Sequence, residues 1–201
     1  MRLEHPGTLT GDLVTLEPLS LDHVDGLIGA CEDGELWDLW YTVVPAPSEM
    51  AEEVERRLEL QRTGSMIPLT TRRNDTGEVI GMTTFMNIDA ATPRVEIGST
   101  WNALSAQATG TNPDSKLLML RQAFEVWECP AVEFRTDFHN QQSRAAIARL
   151  GAKQDGILRS HLRPRAGYTR DTVVFSIIAS EWPGVRLGLE QRVSRHLTRP
   201  A

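Results

Sequence analysis

Gln107-Ala108-Thr109-Gly110-Thr111-Asn112 lies between a strand-like run, Val95 to Trp101, and a helix-like run, Ser115 to Glu128, so a polar loop opens directly onto a helix. That order makes a phosphate-binding site. Beside a glycine the backbone can approach a ligand closely, and the unpaired N–H groups of the next helix, at its positive dipole end, point at an arriving anion. Pro113 suits the first turn of a helix, where its missing N–H would find no partner, yet it removes one possible phosphate donor. Asp114 is unfavourable beside a diphosphate unless it caps the helix facing away.

Working outward, Met66 to Thr71, Val79 to Asn87 and Arg94 to Trp101 read as strands. Asn74-Asp75-Thr76-Gly77 and Ala91-Thr92-Pro93 separate them, turn compositions suited to an antiparallel meander. Before them, Leu13 to Leu19 alternates as a half-buried strand does, and Ser20 can cap a helix beginning near Leu21. A second helix starts at Pro47-Ser48, continues through Val54, Leu58 and Gln61, and stops at Gly64. After the loop, Leu117, Leu118, Leu120, Ala123, Phe124 and Trp127 form the apolar face of the longest helix, which Pro130 ends. Val132 to Thr136 reads as a strand and Gln141 to Leu150 as a helix closed by Gly151, with further strands near Gly156 to Leu162 and Thr172 to Ile178. The order β-α-α-β-β-β-α-β-α-β-β predicts one α/β (α+β) domain over residues 1–180, with a C-terminal helical tail over residues 181–201.

A chain of 201 residues is long enough to bury a core, and 40% hydrophobic with 24% charged residues is the composition of a globular protein. No apolar run is long enough to span a membrane, and no apolar stretch near the start suits a signal peptide, so a cytoplasmic protein is expected. Cys31 and Cys129 lie far apart with no clustered histidines, which predicts reduced, buried thiols and no metal site. The net charge of −6 argues against nucleic-acid binding. Its distribution is uneven: residues 1–60 hold fourteen Asp or Glu against three Lys or Arg, whereas residues 131–170 hold eight basic against three acidic residues. A basic half beside a phosphate loop suits an anionic cofactor, and an acidic half suits a cationic acceptor, although acidic helices are often only solvated faces.

The loop is similar to the Gln/Arg-x-x-Gly-x-Gly/Ala pyrophosphate loop of GNAT-superfamily N-acetyltransferases, with Gln107 and Gly110 matching and Asn112 in place of the final small residue. Further segments carry the resemblance: Val95-Glu96-Ile97-Gly98; Thr109 to Asn112 running into Lys116-Leu117-Leu118; Asn140-Gln141-Gln142-Ser143-Arg144; and Leu150-Gly151-Ala152 followed by Gly156 and Arg159. Over about residues 8–180 the chain most resembles the RimJ/RimL-like subgroup, from which it departs at Pro113-Asp114.

The resemblance implies a mixed, mostly antiparallel twisted sheet flanked by helices, with two strands splayed to take the pantetheine arm of acyl-coenzyme A. It implies transfer of an acetyl group from acetyl-CoA to an amine, a protein N-terminus or a small molecule. Gln107, Ala108, Thr109, Gly110, Thr111 and Asn112 would hold the pyrophosphate, mostly by backbone atoms, with Lys116 and Arg144 as cofactor contacts and Arg121 and Arg149 as weaker phosphate candidates. By the same resemblance Asn140 would bond the pantetheine arm and Ser143 would protonate the leaving thiolate, while local chemistry alone makes Asn140 a helix cap and Ser143 its partner. Glu96 is the first candidate for the base that takes the amine proton, followed by Asp137 and His139. Trp37, Trp40 and Tyr41 either line the acceptor site or pack in the core; no tyrosine falls in the motif, Tyr41 and Tyr168 lying outside it. A coenzyme-binding sensor without turnover, a transferase using another donor such as succinyl-CoA, an unrelated α/β binding protein and a homodimer all remain open on the sequence.

Overall fold

The computed structural model describes residues 3–163 and 167–198. Its frame is one eight-stranded sheet in the order β1-β2-β3-β4-β5-β6-β8-β7. The strands are β1 (Leu9–Thr10), β2 (Val14–Pro18), β3 (Met66–Arg73), β4 (Val79–Asp89), β5 (Arg94–Asn102), β6 (Ala131–Asp137), β7 (Lys153–Leu162) and β8 (Arg170–Ile178). The helices are α1 (Val24–Glu32), α2 (Met50–Arg62), α3 (Thr111–Arg121), α4 (Gln141–Leu150) and α5 (Trp182–Leu197). All pairings are antiparallel except β5 with β6, as the crossover through α3 requires.

Side-chain alternation along β4 assigns the two faces of the sheet. Thr84 accepts a bond from Arg57 of α2, while its neighbour Thr83 contacts Met119 of α3. Helices α1 and α2 therefore cover one face; α3 covers the other, with α5 packed across it and touching α4.

Three elements depart from the sequence expectation. The two-residue β1 was too short to carry an alternation. Helix α3 begins at Thr111, four residues before the expected Ser115, because Gly110 takes a left-handed conformation that turns the chain straight into the helix. Its apolar face is also not one stripe: Leu117, Leu118, Met119 and Leu120 are all buried, since Leu189 and Val193 of α5 cover the side a solvent-facing helix would leave polar. Beyond Arg121 the helix widens into a π-helical turn, Gln122–Val126, before Pro130.

Asp114 resolves its own difficulty. Its carboxylate turns away from the loop, is almost completely buried, and accepts from the backbone N–H groups of Leu13 and Val14 at 2.7 and 3.0 Å. Gly11 lies against it so closely that a Cβ there would stand 2.5 Å from Oδ2. The residue thus pins the β1–β2 hairpin to the foot of α3. Asp114→Ala leaves two buried N–H groups without acceptors and is expected to cost about 2–4 kcal/mol, read as a lower urea midpoint, with Asp114→Asn losing less.

Cys31 and Cys129 are buried and unpaired, and burial pushes the Cys129 thiol up to about 11.

Candidate active site

Strands β5 and β6 share only three backbone pairs, Arg94 with Ala131, Val95 with Val132 and Glu96 with Glu133. Beyond them β5 runs on to Asn102 and β6 to Asp137 with no pairing between the two, so the sheet opens into a wedge. A bulge shapes the β5 side. Met82 and Thr84 of β4 face Trp101 and Gly98, which leaves an extra residue on β5, and Ser99 takes φ +46°. The edge of β5 that faces the wedge has no strand to satisfy it.

The loop of residues 107–112 closes the wide end. Thr109 and Thr111 donate their hydroxyls to the Ala106 carbonyl at 2.6 and 2.9 Å, and Ala108 and Gly110 both have positive φ, +62° and +91°. Among the described residues the backbone N–H groups of Ala108, Thr109, Gly110, Thr111 and Asn112 have no hydrogen-bond partner. Five donors without a protein partner at a helix N-terminus are left to solvent or to a ligand. Left-handed residues alternating with ordinary ones turn such donors toward a common concavity, an anion nest.

On the face covered by α1 and α2, the period of two along β6 sets Glu133, Arg135 and Asp137 side by side. Glu96 meets them from β5. It is 5% exposed; Oε2 accepts from Asn87 Nδ2 at 2.6 Å and stands 3.5 Å from Arg135 Nε, while Arg135 itself binds Glu133. Oε1 lies over Gly98, where a Cβ would approach it to 2.8 Å. Burial raises the Glu96 carboxyl above its ordinary value, against the opposing effects of Asn87 and Arg135. Asp137 is fully engaged: it accepts from the Tyr168 hydroxyl and from His139 N at 2.8 Å, with Arg170 Nε 3.7 Å away. Trp40, in the segment between α1 and α2, lies over this group, its ring centroid 5.2 Å from that of Tyr168, 5.3 Å from His139 and 5.5 Å from Tyr41.

A family model described as "Acetyltransferase (GNAT) domain" matches residues 14–153. The chain belongs to the GNAT acetyltransferase family. It is 30% identical over 108 residues to the "Putative ribosomal N-acetyltransferase YdaF" of Bacillus subtilis (strain 168), a match spanning 54% of this chain and 58% of that protein. Among solved structures, a GCN5-related N-acetyltransferase from Brucella melitensis superposes with a TM-score of 0.84 at 24% identity, covering 95% of this chain and 86% of that one. A Mycobacterium smegmatis RimJ in complex with CoA-disulfide superposes with a TM-score of 0.78 at 21% identity, covering 92% and 94%. At these identities the two structures show a shared fold. The single GNAT domain with an open, mostly antiparallel sheet is the architecture expected from the sequence.

Within this GNAT frame the sequence candidates are distributed as follows. Gln107 does not simply face solvent: its Nε2 donates to the Asn102 carbonyl at 3.2 Å and its Oε1 accepts from Gln142 of α4 at 2.8 Å, which links the loop to α4. Asn140 caps α4, its Oδ1 accepting from Ser143 N at 2.9 Å. The Ser143 hydroxyl has no partner among the described residues. Arg144 turns toward Phe138, its guanidinium 4.8 Å from that ring and bonded to the Phe138 carbonyl at 3.2 Å. Arg121 pairs with Glu190 of α5, and Arg149 lies at the far end of α4, where its carbonyl accepts from Arg192. Lys116 turns its ammonium group under the sheet, away from the loop. Trp37 packs against the core, whereas Trp40 and Tyr41 join the cluster at the end of β6.

Sequence reasoning did not single out Arg135, Asn87 or His196, and placed Tyr168 outside the motif. The period of two in Glu133-x-Arg135-x-Asp137 carried a signal for Arg135. Nothing local announces Tyr168 or His196: one arrives from the segment before β8, the other from the last turn of α5, where its ring packs on Gly110.

No helix of the described residues is long and apolar enough to cross a membrane.

Proposed function

We propose that the protein is an acetyl-CoA-dependent N-acetyltransferase in which a primary amine, a protein N-terminus or a small-molecule amine, attacks the thioester directly in a ternary complex. The row of five unpartnered N–H groups at the foot of α3, set at the wide end of the β5–β6 wedge, carries this reading. A diphosphate is an anion of the size such a row accommodates, and a pantetheine arm running into the wedge can pair with the free edge of β5. The thioester carbonyl would then lie against the bulge at Ser99, where a backbone N–H can polarise it. In this arrangement the coenzyme is a cosubstrate that supplies the activated acyl group.

Residue roles follow from which groups are free. Glu96 is assigned as the base, directly or through a water, because Oε1 is uncommitted at the point where the strands part, whereas both oxygens of Asp137 are occupied. Ser143, with an unpartnered hydroxyl in the first turn of α4, is assigned as donor to the departing thiolate. Asn140 holds that turn in place, and among the described residues its amide nitrogen has no partner that would compete with the pantetheine arm. Lys116 and Arg144 are not assigned to the phosphates, since both are turned elsewhere. Trp40, Tyr41 and Tyr168 wall the acceptor side, and the exposed carboxylates Glu32, Glu35 and Asp38, in the stretch of chain leading to Trp40, favour a cationic acceptor. A cytoplasmic location and a soluble state fit this chemistry.

Calorimetric titration with acetyl-CoA tests the reading: saturable binding is expected, and none would remove it. Release of free thiol with a panel of amines and short peptides then separates a transferase from a coenzyme-binding sensor. Ser143→Ala is expected to lower turnover about tenfold and leave acetyl-CoA affinity unchanged. An unchanged turnover number would take Ser143 out of the donor role.

A further inference from the structure

Of the two lysines, Lys153 is exposed and pairs with Glu181, whereas Lys116 is buried and has no counter-ion among the described residues. It is 5% exposed, and its Nζ donates to Thr83 Oγ1 and Thr100 Oγ1, both at 2.9 Å, with Met119 Sδ at 4.0 Å. The two threonines also bond each other at 2.7 Å, and Thr100 donates onward to the Gly98 carbonyl at 3.3 Å. Gly98 and Thr100 bracket Ser99, so this chain of hydrogen bonds ends on the β5 bulge, in the stretch that β6 has left unpaired. The elements packed about Nζ are β4, β5 and α3, and they present Thr83, Thr100 and Met119, none of them titratable or charged; among the described residues no carboxylate lies within ion-pair distance.

Burying a lone ammonium group is costly, and a methionine or leucine would fill the same space without that cost. A charge kept in such a place acts on what lies next to it, and here that is the bulge. We propose that Lys116 is a positioning residue for acyl transfer: pinned beneath β5 by Thr83 and Thr100, its ammonium group fixes the backbone of Ser99 and Thr100 that receives the thioester carbonyl and places positive charge under the oxygen as it becomes an oxyanion. This rests on the acyl-transfer reading above. Charge preorganised in a water-excluded place stabilises a developing anion without reorganisation during the reaction.

Burial without a partner lowers the Lys116 ammonium to about 7, so the charge is present below neutrality and lost above it. The test compares Lys116→Met with the parent protein. Methionine matches the length and keeps the packing, so the variant is expected to melt several degrees higher, a gain largest at pH 7 and below because the unfolded lysine binds a proton there that the folded one must hold at a cost. Its kcat is expected to fall about tenfold at pH 6 with KM for acetyl-CoA within twofold. The ratio of parent to variant kcat cancels the titration of the acceptor amine and should shrink toward one by pH 9. A ratio constant across that range overturns the proposal, as does an unchanged kcat. A second readout does not depend on turnover: in the protein without coenzyme, the amide resonances of Ser99 and Thr100 should shift with pH around neutrality, and Lys116→Met should abolish that shift. If the parent acetylates nothing, the transferase reading fails on its own, and amides that do not titrate overturn the coupling of Lys116 to the bulge separately.

Discussion

Gly110→Val is expected to abolish acetyl-CoA binding, a loss of at least a hundredfold in affinity by calorimetry. Two effects combine at this position. Gly110 has φ +91°, a region that costs an ordinary residue about 1–2 kcal/mol and a β-branched one more. A Cβ there would also stand 2.7 Å from the ring of His196 and 2.8 Å from Leu13 Cδ1, so the loop could keep its conformation only by displacing the last turn of α5 and the start of β2. Relaxing the backbone to negative φ instead redirects the N–H groups of residues 108–112 and dismantles the row of donors. Gly110→Ala separates the two contributions. Paired with His196→Ala it should recover part of the affinity, because the contact is removed while the backbone cost stays. Recovery of none would mean that conformation alone decides the site. Circular dichroism of each variant distinguishes a lost site from a lost fold.

Glu96→Gln is expected to reduce kcat by about two to three orders of magnitude near neutral pH and to remove the acid limb of the kcat profile. The carboxyl is raised by burial, and a base works only when ionised, so the parent rate should fall as pH drops through a value above the ordinary carboxylate range. Glutamine keeps the bond to Asn87 at the position of Oε2, which leaves the shape of the site unchanged and KM for acetyl-CoA close to the parent's. An intact acid limb in the variant would shift the assignment to His139, whose ring lies under Trp40, or to Asp137.

Much of this architecture was readable before any coordinates, because its signals are local. Turn compositions such as Asn74 to Gly77 fix a hairpin, and Gly151 ends α4 wherever it occurs, here with φ +102°. The loop that opens onto α3 is legible for the same reason: Gly110 and a helix start are neighbours in sequence. What escaped depends on contacts between distant segments. The burial of α3 on both sides needed α5, which lies sixty residues further on and packs against the π-turned end of α3 through Trp182 and Phe124. Asp114 looked misplaced until Leu13 and Val14 supplied its partners. Lys116 read, by resemblance, as a cofactor contact; the direction of its side chain is set by Thr83 and Thr100, and neither is near it in sequence. The commitment of Asp137 could not be foreseen either, since Tyr168 reaches it from the segment just before β8.

The three-rung ladder between β5 and β6 has a mechanical consequence. It is the seam at which β1 to β5 meet β6 to β8, and beyond Glu96 the two halves are stitched by helices and side chains alone. Amide protons along the open edges have no strand to shelter them, so exchange in the resting molecule is expected to be fastest there. A ligand lying in the wedge would serve as the absent rungs, stiffening both halves against each other and slowing proton exchange well away from any atom it touches. Departure of the spent ligand would restore that freedom, so each reaction cycle would alternate a hinged molecule with a braced one.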